Sequence, residues 1–194
     1  MVSVSCLVRN VALLTFCGTN CGALTYVAAV SMRNAAFGDL AWVPFTYSLQ
    51  ARYLVDHSPQ LAAWQLALIW LLNCTGYALF RGSNSQKDAF RRDPKAPAVA
   101  HLRTMDTKRG TKLLVSGYWG LARKINYTGD WMMGLAWCLT CGWGSLMPYF
   151  YAIYFGILLV HRAWRDDHAC QTKYGADWQR YKRAVPSVFI PGLL

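Results

Sequence analysis

A chain of 194 residues with 55% hydrophobic and only 15% charged residues lies well below the ~25% charge of ordinary soluble domains. It is also too short for separate cofactor and substrate domains. The charge is lopsided, with 20 Lys/Arg against nine acids, all of them Asp, for a net +11. Without any Glu the chain cannot carry a His-Glu-x-x-His site or a glutamate acid pair. The basic residues are blocked: nine Lys/Arg lie between Arg81 and Lys112 and six between His161 and Leu194. Basic segments between apolar blocks are the positive-inside pattern of a multi-pass, all-α membrane protein. No nucleic-acid partner is expected, because such a binder mixes its basic residues into half-polar elements.

In chain order, Val11 to Val30 is long enough for a first span. Ala35 to Val55 reads as a second, carrying Asp39, Pro44 and Arg52, which are costly in lipid and expected to face protein or a cavity. Asp56 to Gln60 is a polar turn, and Leu61 to Phe80 is the cleanest span. In the basic segment Ser83-Asn84-Ser85 is a candidate cap for a separate short helix through Arg92. Lys87 and Arg91 share a face of that helix at i, i+4. Asp93-Pro94 and Ala96-Pro97 rule out helix through the whole segment.

Asp130 to Val160 links two basic segments that belong on one side of the bilayer, so it must cross an even number of times. Two compact helices turning near Gly142-Trp-Gly144-Ser and Pro148 satisfy this. In the C-terminal segment Arg162, Arg165 and Asp166 share a helix face, with an Arg162–Asp166 pair at i, i+4. Asp167 points about 100° away on the same helix. Tyr174, Trp178 and Tyr181 form an aromatic stripe at i, i+4, i+7.

Cys138-x-x-Cys141 lacks a second pair or a neighbouring His and reads as small apolar filler, so no metal site is expected. Gly-x-Gly-x-x-Gly, Walker and Gly-x-Ser-x-Gly motifs are all missing. What remains is a set of polar residues at the ends of apolar segments: Lys87, Arg91, Arg123, Asn126, Tyr127, Asp130, Arg162, Asp166, Tyr174 and Tyr181. Converging cations and aromatics suit the phosphates and ring faces of a nucleotide. Juxtamembrane Lys and Arg also meet lipid headgroups, but Asn126, Asp130 and Asp166 have no use there.

These residues fall in segments that resemble the sterol reductase family, and within it the delta(14)-sterol reductase branch. The family also includes 7-dehydrocholesterol reductase and the lamin B receptor. The resemblance rests on Leu113-Leu-Val-Ser-Gly-Tyr-Trp-Gly-Leu-Ala-Arg123 with Asn126-Tyr-Thr-Gly-Asp130, and on Leu158-Leu-Val-His-Arg-Ala-Trp-Arg-Asp-Asp167 with Lys173-Tyr-Gly-Ala-Asp-Trp178. Ala36 to Gln50 and Arg81 to Lys87 add to it. It covers residues 36 to 194, leaving 1 to 35 unmatched, and extends to the C-terminal half of the family's fold. Tyr118 and Lys124 stand where the family usually has Trp and His.

The resemblance implies a multi-pass endoplasmic reticulum protein that reduces the C14=C15 double bond of a sterol with NADPH. Lys87 and Arg91 would hold cofactor phosphates, and Trp119, Arg123, Asn126, Tyr127 and Asp130 would complete the pocket. Arg162, Asp166, Tyr174 and Tyr181 would lie by the nicotinamide, with Asp166, Tyr174 and Tyr181 in catalytic roles. Sterol and membrane lipid are the expected partners, together with other sterol-biosynthesis enzymes or a chain that supplies further helices. Two other readings stay open: a non-catalytic relative that binds sterol or partners, and a methyltransferase of the isoprenylcysteine type, whose Arg-His-Pro-x-Tyr segment Arg123 to Tyr127 resembles.

Overall fold

A computed structural model describes residues 49–57 and 59–192. The expected span Val11 to Val30 and most of Ala35 to Val55 lie outside these residues. The described part is mostly helical: α1 (Leu49–Asp56), α2 (Ala63–Arg92), α3 (Tyr118–Leu121), α4 (Ile125–Leu139), α5 (Phe150–Tyr174) and α6 (Ala176–Ala184). A hairpin of β1 (Thr104–Asp106) and β2 (Lys112–Leu114) interrupts them, so the described chain is not purely α. By internal packing it divides into one unit of residues up to Leu71 with Gly134–Tyr154, and another of Leu72–Met133 with Phe155–Leu194.

Helix α2 starts where the Gln65 side chain accepts the Ala62 N–H at 2.8 Å, the returning half of a capping box. It runs 30 residues, about 45 Å. Among the described residues it is the helix long and apolar enough to cross a membrane. The expected break at Ser83 does not occur. Ser83 is fully buried inside α2 and its Oγ donates to the Phe80 carbonyl at 3.2 Å, the back-bonding that lets a serine sit mid-helix. The helix stops at Arg92 because the next residue precedes Pro94 and is biased out of helical geometry.

The stretch Asp130 to Val160 does hold two helices, α4 and α5. They join through a turn and the short 3-10 segment Met147–Tyr149, with Pro148 at its start. In the first unit this turn meets α1: Gln50 Nε2 donates to Cys138 Sγ at 3.5 Å and to the Pro148 carbonyl at 3.4 Å, while Cys141 Sγ donates to the Gln50 carbonyl. Cys138 and Cys141 are both buried, as expected of apolar filler.

In the second unit α2 and α4 meet backbone to backbone. A Cβ on Gly76 would lie 2.8 Å from the Gly129 carbonyl oxygen, and one on Gly129 would lie 2.6 Å from that of Gly76. Only glycine permits this approach.

The hairpin pairs Thr104 with Leu114 and Asp106 with Lys112. Side chains alternate across a strand, so its two faces serve two clusters. Leu114 packs with Phe90, Val99 and Trp119. Met105, Leu113 and Val115 pack on Trp178, Tyr181 and Val185.

Candidate functional site

Every residue of the site belongs to the second unit, and its first wall is the polar end of α2. Tyr118 N–H donates to Gln86 Oε1 at 3.1 Å, and Trp119 Nε1 donates to the Ser83 carbonyl at 2.9 Å. These two bonds fix the Trp119 ring, and Lys87 Nζ stands 4.3 Å above its centroid. Burial, and then the positive charges of Arg91 and Lys124, push the Lys87 ammonium down to about 8 against weaker pulls from Cys170 and Asp166. Lys87 lies seven residues beyond Phe80, where the apolar span ends. A cation made this uncomfortable has a strong electrostatic reason to accept an anion.

The second wall is the start of α4 against the polar end of α5. Asp166 Oδ2 accepts from Lys124 Nζ at 2.5 Å and from the Tyr127 hydroxyl at 2.9 Å. Burial works to raise the Asp166 carboxyl. The bond and charge of Lys124, then Tyr127 and Arg162, outweigh it and hold the group below the usual carboxylate range. Arg162 makes no direct bond to Asp166; its guanidinium lies 5.7 Å from the Tyr127 ring centroid. The expected i, i+4 ion pair is therefore replaced. Asp166 takes its donors from Lys124, just before α4, and Tyr127 in its first turn, both converging on one oxygen, and Arg162 acts on both Asp130 and Asp166 through space.

Asp167 does something else. Its Oδ1 accepts from Trp178 Nε1 at 2.9 Å and Arg123 Nη1 at 3.3 Å, and its Oδ2 from Lys182 at 2.7 Å. Far from being an idle neighbour, it ties α6 and Arg123 to α5. Burial again works upward, and Lys182, Trp178 and Arg123 hold its carboxyl below the usual range.

The C-terminal segment closes this wall. Arg123 N–H and Lys124 N–H donate to the carbonyls of Ser187 (3.0 Å) and Val188 (2.8 Å), and Thr128 Oγ1 donates to that of Phe189.

The structure thus gathers Trp119 with Lys87, and Tyr127 and Arg162 with Asp166, with Arg91 acting on Lys87 and Arg162 on Asp130. Arg123 Nε and Asn126 Oδ1 are buried with no hydrogen-bond partner among the described residues. Tyr174 and Tyr181 are placed differently. Gly175, at φ +55°, breaks the helix after Tyr174, so the aromatic stripe spans two helices. Its rings still stack in series, Tyr174–Trp178 at 6.4 Å and Trp178–Tyr181 at 5.0 Å. Tyr181 is buried beneath the hairpin, and that burial pushes its hydroxyl up to about 12 despite Arg123. The residues sequence reasoning passed over are Lys124 and Asp167. Arg123-Lys124 and Asp166-Asp167 are adjacent opposite-charge pairs 43 residues apart, the one signal that could have matched them.

Residues 33–194 match the model of the ergosterol biosynthesis ERG4/ERG24 family. The chain belongs to this family. It is 57% identical over 156 residues to the delta(14)-sterol reductase erg24 of Schizosaccharomyces pombe, covering 80% of this chain and 37% of that protein. It is 55% identical over 155 residues to the mouse delta(14)-sterol reductase TM7SF2, covering 80% of this chain and 37% of the relative. To the chicken delta(14)-sterol reductase LBR it is 54% identical over 156 residues, covering 80% of this chain and 24% of the relative. The chain thus spans about a quarter to two fifths of the length of these relatives. Membership in this family sets aside the methyltransferase reading.

Proposed function

We propose that this chain carries the cofactor-binding and reaction-facing part of a membrane-embedded sterol reductase that uses NADPH to reduce the C14=C15 double bond. The observation that carries the reading is a half-buried polar cluster: Lys87 over Trp119, Lys124 and Tyr127 on Asp166, and beside them in sequence two buried atoms without a partner, the Arg123 Nε donor and the Asn126 Oδ1 acceptor. A buried polar atom without a partner costs ~1–3 kcal/mol, a cost that a polar ligand removes on binding. The residues fit a phosphorylated dinucleotide. Lys87 and Arg91 match its phosphates, the faces of Trp119 and Tyr127 its rings, and Arg123 with Asn126 its amide and hydroxyl groups.

When bound, the reduced nicotinamide supplies a hydride to an electron-poor carbon. This chain's residues must make that carbon. In a delta(8,14)-sterol the C14=C15 bond is conjugated with C8=C9, so protonation at C15 would leave a tertiary, allylic cation at C14, and that is the electron-poor carbon. The Asp166 carboxylate and the Tyr127 ring face stabilise positive charge, and a tyrosine hydroxyl or a relayed water supplies the proton. Tyr174 and Tyr181 remain candidates for that supply, with a buried hydroxyl pushed to about 12 keeping Tyr181 protonated at neutral pH.

The membrane setting is supported by exposed apolar faces: Trp64, Leu68, Trp70 and Leu71 on α2, and Ile153, Ile157 and Val160 on α5. A multi-pass bundle in the endoplasmic reticulum, with the sterol entering from the bilayer, follows the same reading. The test is purified protein with NADPH and a delta(8,14)-sterol. The 14-reduced sterol is the expected product, and no measurable NADPH binding would overturn the reading.

A further inference from the structure

We propose that Lys124 is a positioning residue: it fixes Asp166 as an ionised acceptor, so that Asp166 serves the reaction by facing positive charge and not by donating a proton. The geometry carries this. Lys124 Nζ and the Tyr127 hydroxyl both donate to the same oxygen, Oδ2, at 2.5 and 2.9 Å. A proton on that oxygen would meet two other donors, so the arrangement selects the carboxylate. Among the described residues Oδ1 takes no hydrogen bond or ion pair, and it remains the acceptor for a bound cationic centre.

Lys124 is itself held in place. Its backbone N–H donates to the Val188 carbonyl at 2.8 Å, and its ammonium lies 5.0 Å from the Tyr127 ring centroid. The lysine thus leans on the same tyrosine that shares its carboxylate. A pair held on both sides loses less side-chain freedom on forming than two free surface chains do.

The groups that bear on Asp166 come from three helices and the segment before α4. Lys124 and Tyr127 face it directly, and Arg162 acts from one turn earlier on α5. Lys87 on α2 and Cys170 on α5 also lie within electrostatic reach. Of these, Lys124 supplies the largest pull against burial. Removing it leaves a half-buried acid with Tyr127 and a distant guanidinium, an environment in which desolvation favours the neutral form.

The inference deepens the reductase reading and rests on it for its consequence in turnover, but the charge state of Asp166 can be measured without turnover. The full chain in detergent, labelled with ¹³C at the aspartate carboxyl carbon, gives an Asp166 resonance identified by its loss in Asp166→Asn. In the unaltered protein that resonance is expected to titrate below the usual carboxylate range. In Lys124→Met its midpoint should rise by about one pH unit or more, and Lys124→Arg should restore it. Lys124→Gln, which keeps a donor without the charge, serves as a second neutral variant should the Met variant fail to fold. A smaller rise is expected for Tyr127→Phe.

An unmoved midpoint in the folded neutral variant overturns the inference, as does an Asp166 that titrates near neutrality in the unaltered protein. Parallel measurement of turnover against pH separates the two proposals. Loss of NADPH binding in the unaltered chain would sink the reductase reading while the carboxyl titration still reported on Lys124. A purely structural Lys124 would change melting temperature and leave the titration where it was.

Discussion

Gln50 and Asp166 each organise one of the two units, and they do so by opposite means. Around Gln50 the partners are a thiol, a second thiol and the carbonyl of Pro148, so helices are joined with no charge at all. Around Asp166 and Asp167 four cationic side chains and two aromatic donors converge. Neutral bonds to sulfur and backbone hold shape cheaply in an apolar setting, where an ion pair would lose its desolvation energy. Under the proposed function the comparison separates residues that keep the fold from those that would serve the chemistry, and the two adjacent aspartates fall on different sides of it.

The largest effect is expected at Asp166. Asp166→Ala should leave the protein folded and inserted while turnover of a delta(8,14)-sterol falls by ~10²-fold or more. Near-normal turnover would place Asp166 among the structural groups instead. Lys87 sharpens the contrast from the other side, because burial and the charges of Arg91 and Lys124 disfavour its ammonium. Its folded value of about 8 lies below the ordinary lysine value of 10.5, so between these pH values the unfolded chain binds more protons and stability rises with pH. Lys87→Met should remove that rise and add about 3 kcal/mol at pH 7, while weakening NADPH binding. Thermal melts at pH 7 and pH 9.5, paired with binding isotherms, check both halves.

Asp167→Ala is the converse case. It strips one acceptor from Trp178, Arg123 and Lys182 together, and should lower stability by about 1–2 kcal/mol with a lesser effect on the chemical step. Sequence spacing alone predicts a small effect there; the three bonds to Asp167 are the reason to expect a larger one in stability. Both carboxyls are held below their ordinary range, so their contribution is present above the unfolded value near 4 and is lost as pH falls through the folded values. Acid destabilisation should therefore set in only below about pH 4, and the Asp166→Asn, Asp167→Asn double variant should flatten it. The smallest effect is expected at Gln50→Met. It gives up weak bonds to sulfur and carbonyl without exposing a charge, for about 1 kcal/mol or less in melting experiments.

What could be read from the sequence was what repeats over short distances. The apolar run Leu61 to Phe80 announced α2, and Gly142 to Pro148 announced the turn between α4 and α5. The i, i+4 spacing placed Lys87 and Arg91 on one helix face. Ser83 misled because a serine caps a helix start and tolerates a helix interior by the same side-chain bond, and only the buried contact with Trp119 decides between them. The hairpin escaped because strands of three residues carry too few side chains to show alternation. Each strand is justified by clusters that lie up to 80 residues away, at Trp178 and Val185. The pairing of Lys124 with Asp166 spans 42 residues, beyond any periodicity, and Gly175 divided a stripe whose spacing assumed one unbroken helix.

The crossing of Gly76 and Gly129 has a mechanical consequence. With no side chain between the two backbones, the contact behaves as the rivet of a pair of shears. The helices can pivot slightly about it, but neither can slip along the other without driving a side chain into a carbonyl. Lys87 stands eleven residues beyond this rivet on α2, and Tyr127 two residues before it on α4. Their separation is therefore set before any ligand arrives, so a dinucleotide would meet a gauge already cut to length and lose little affinity to rearrangement.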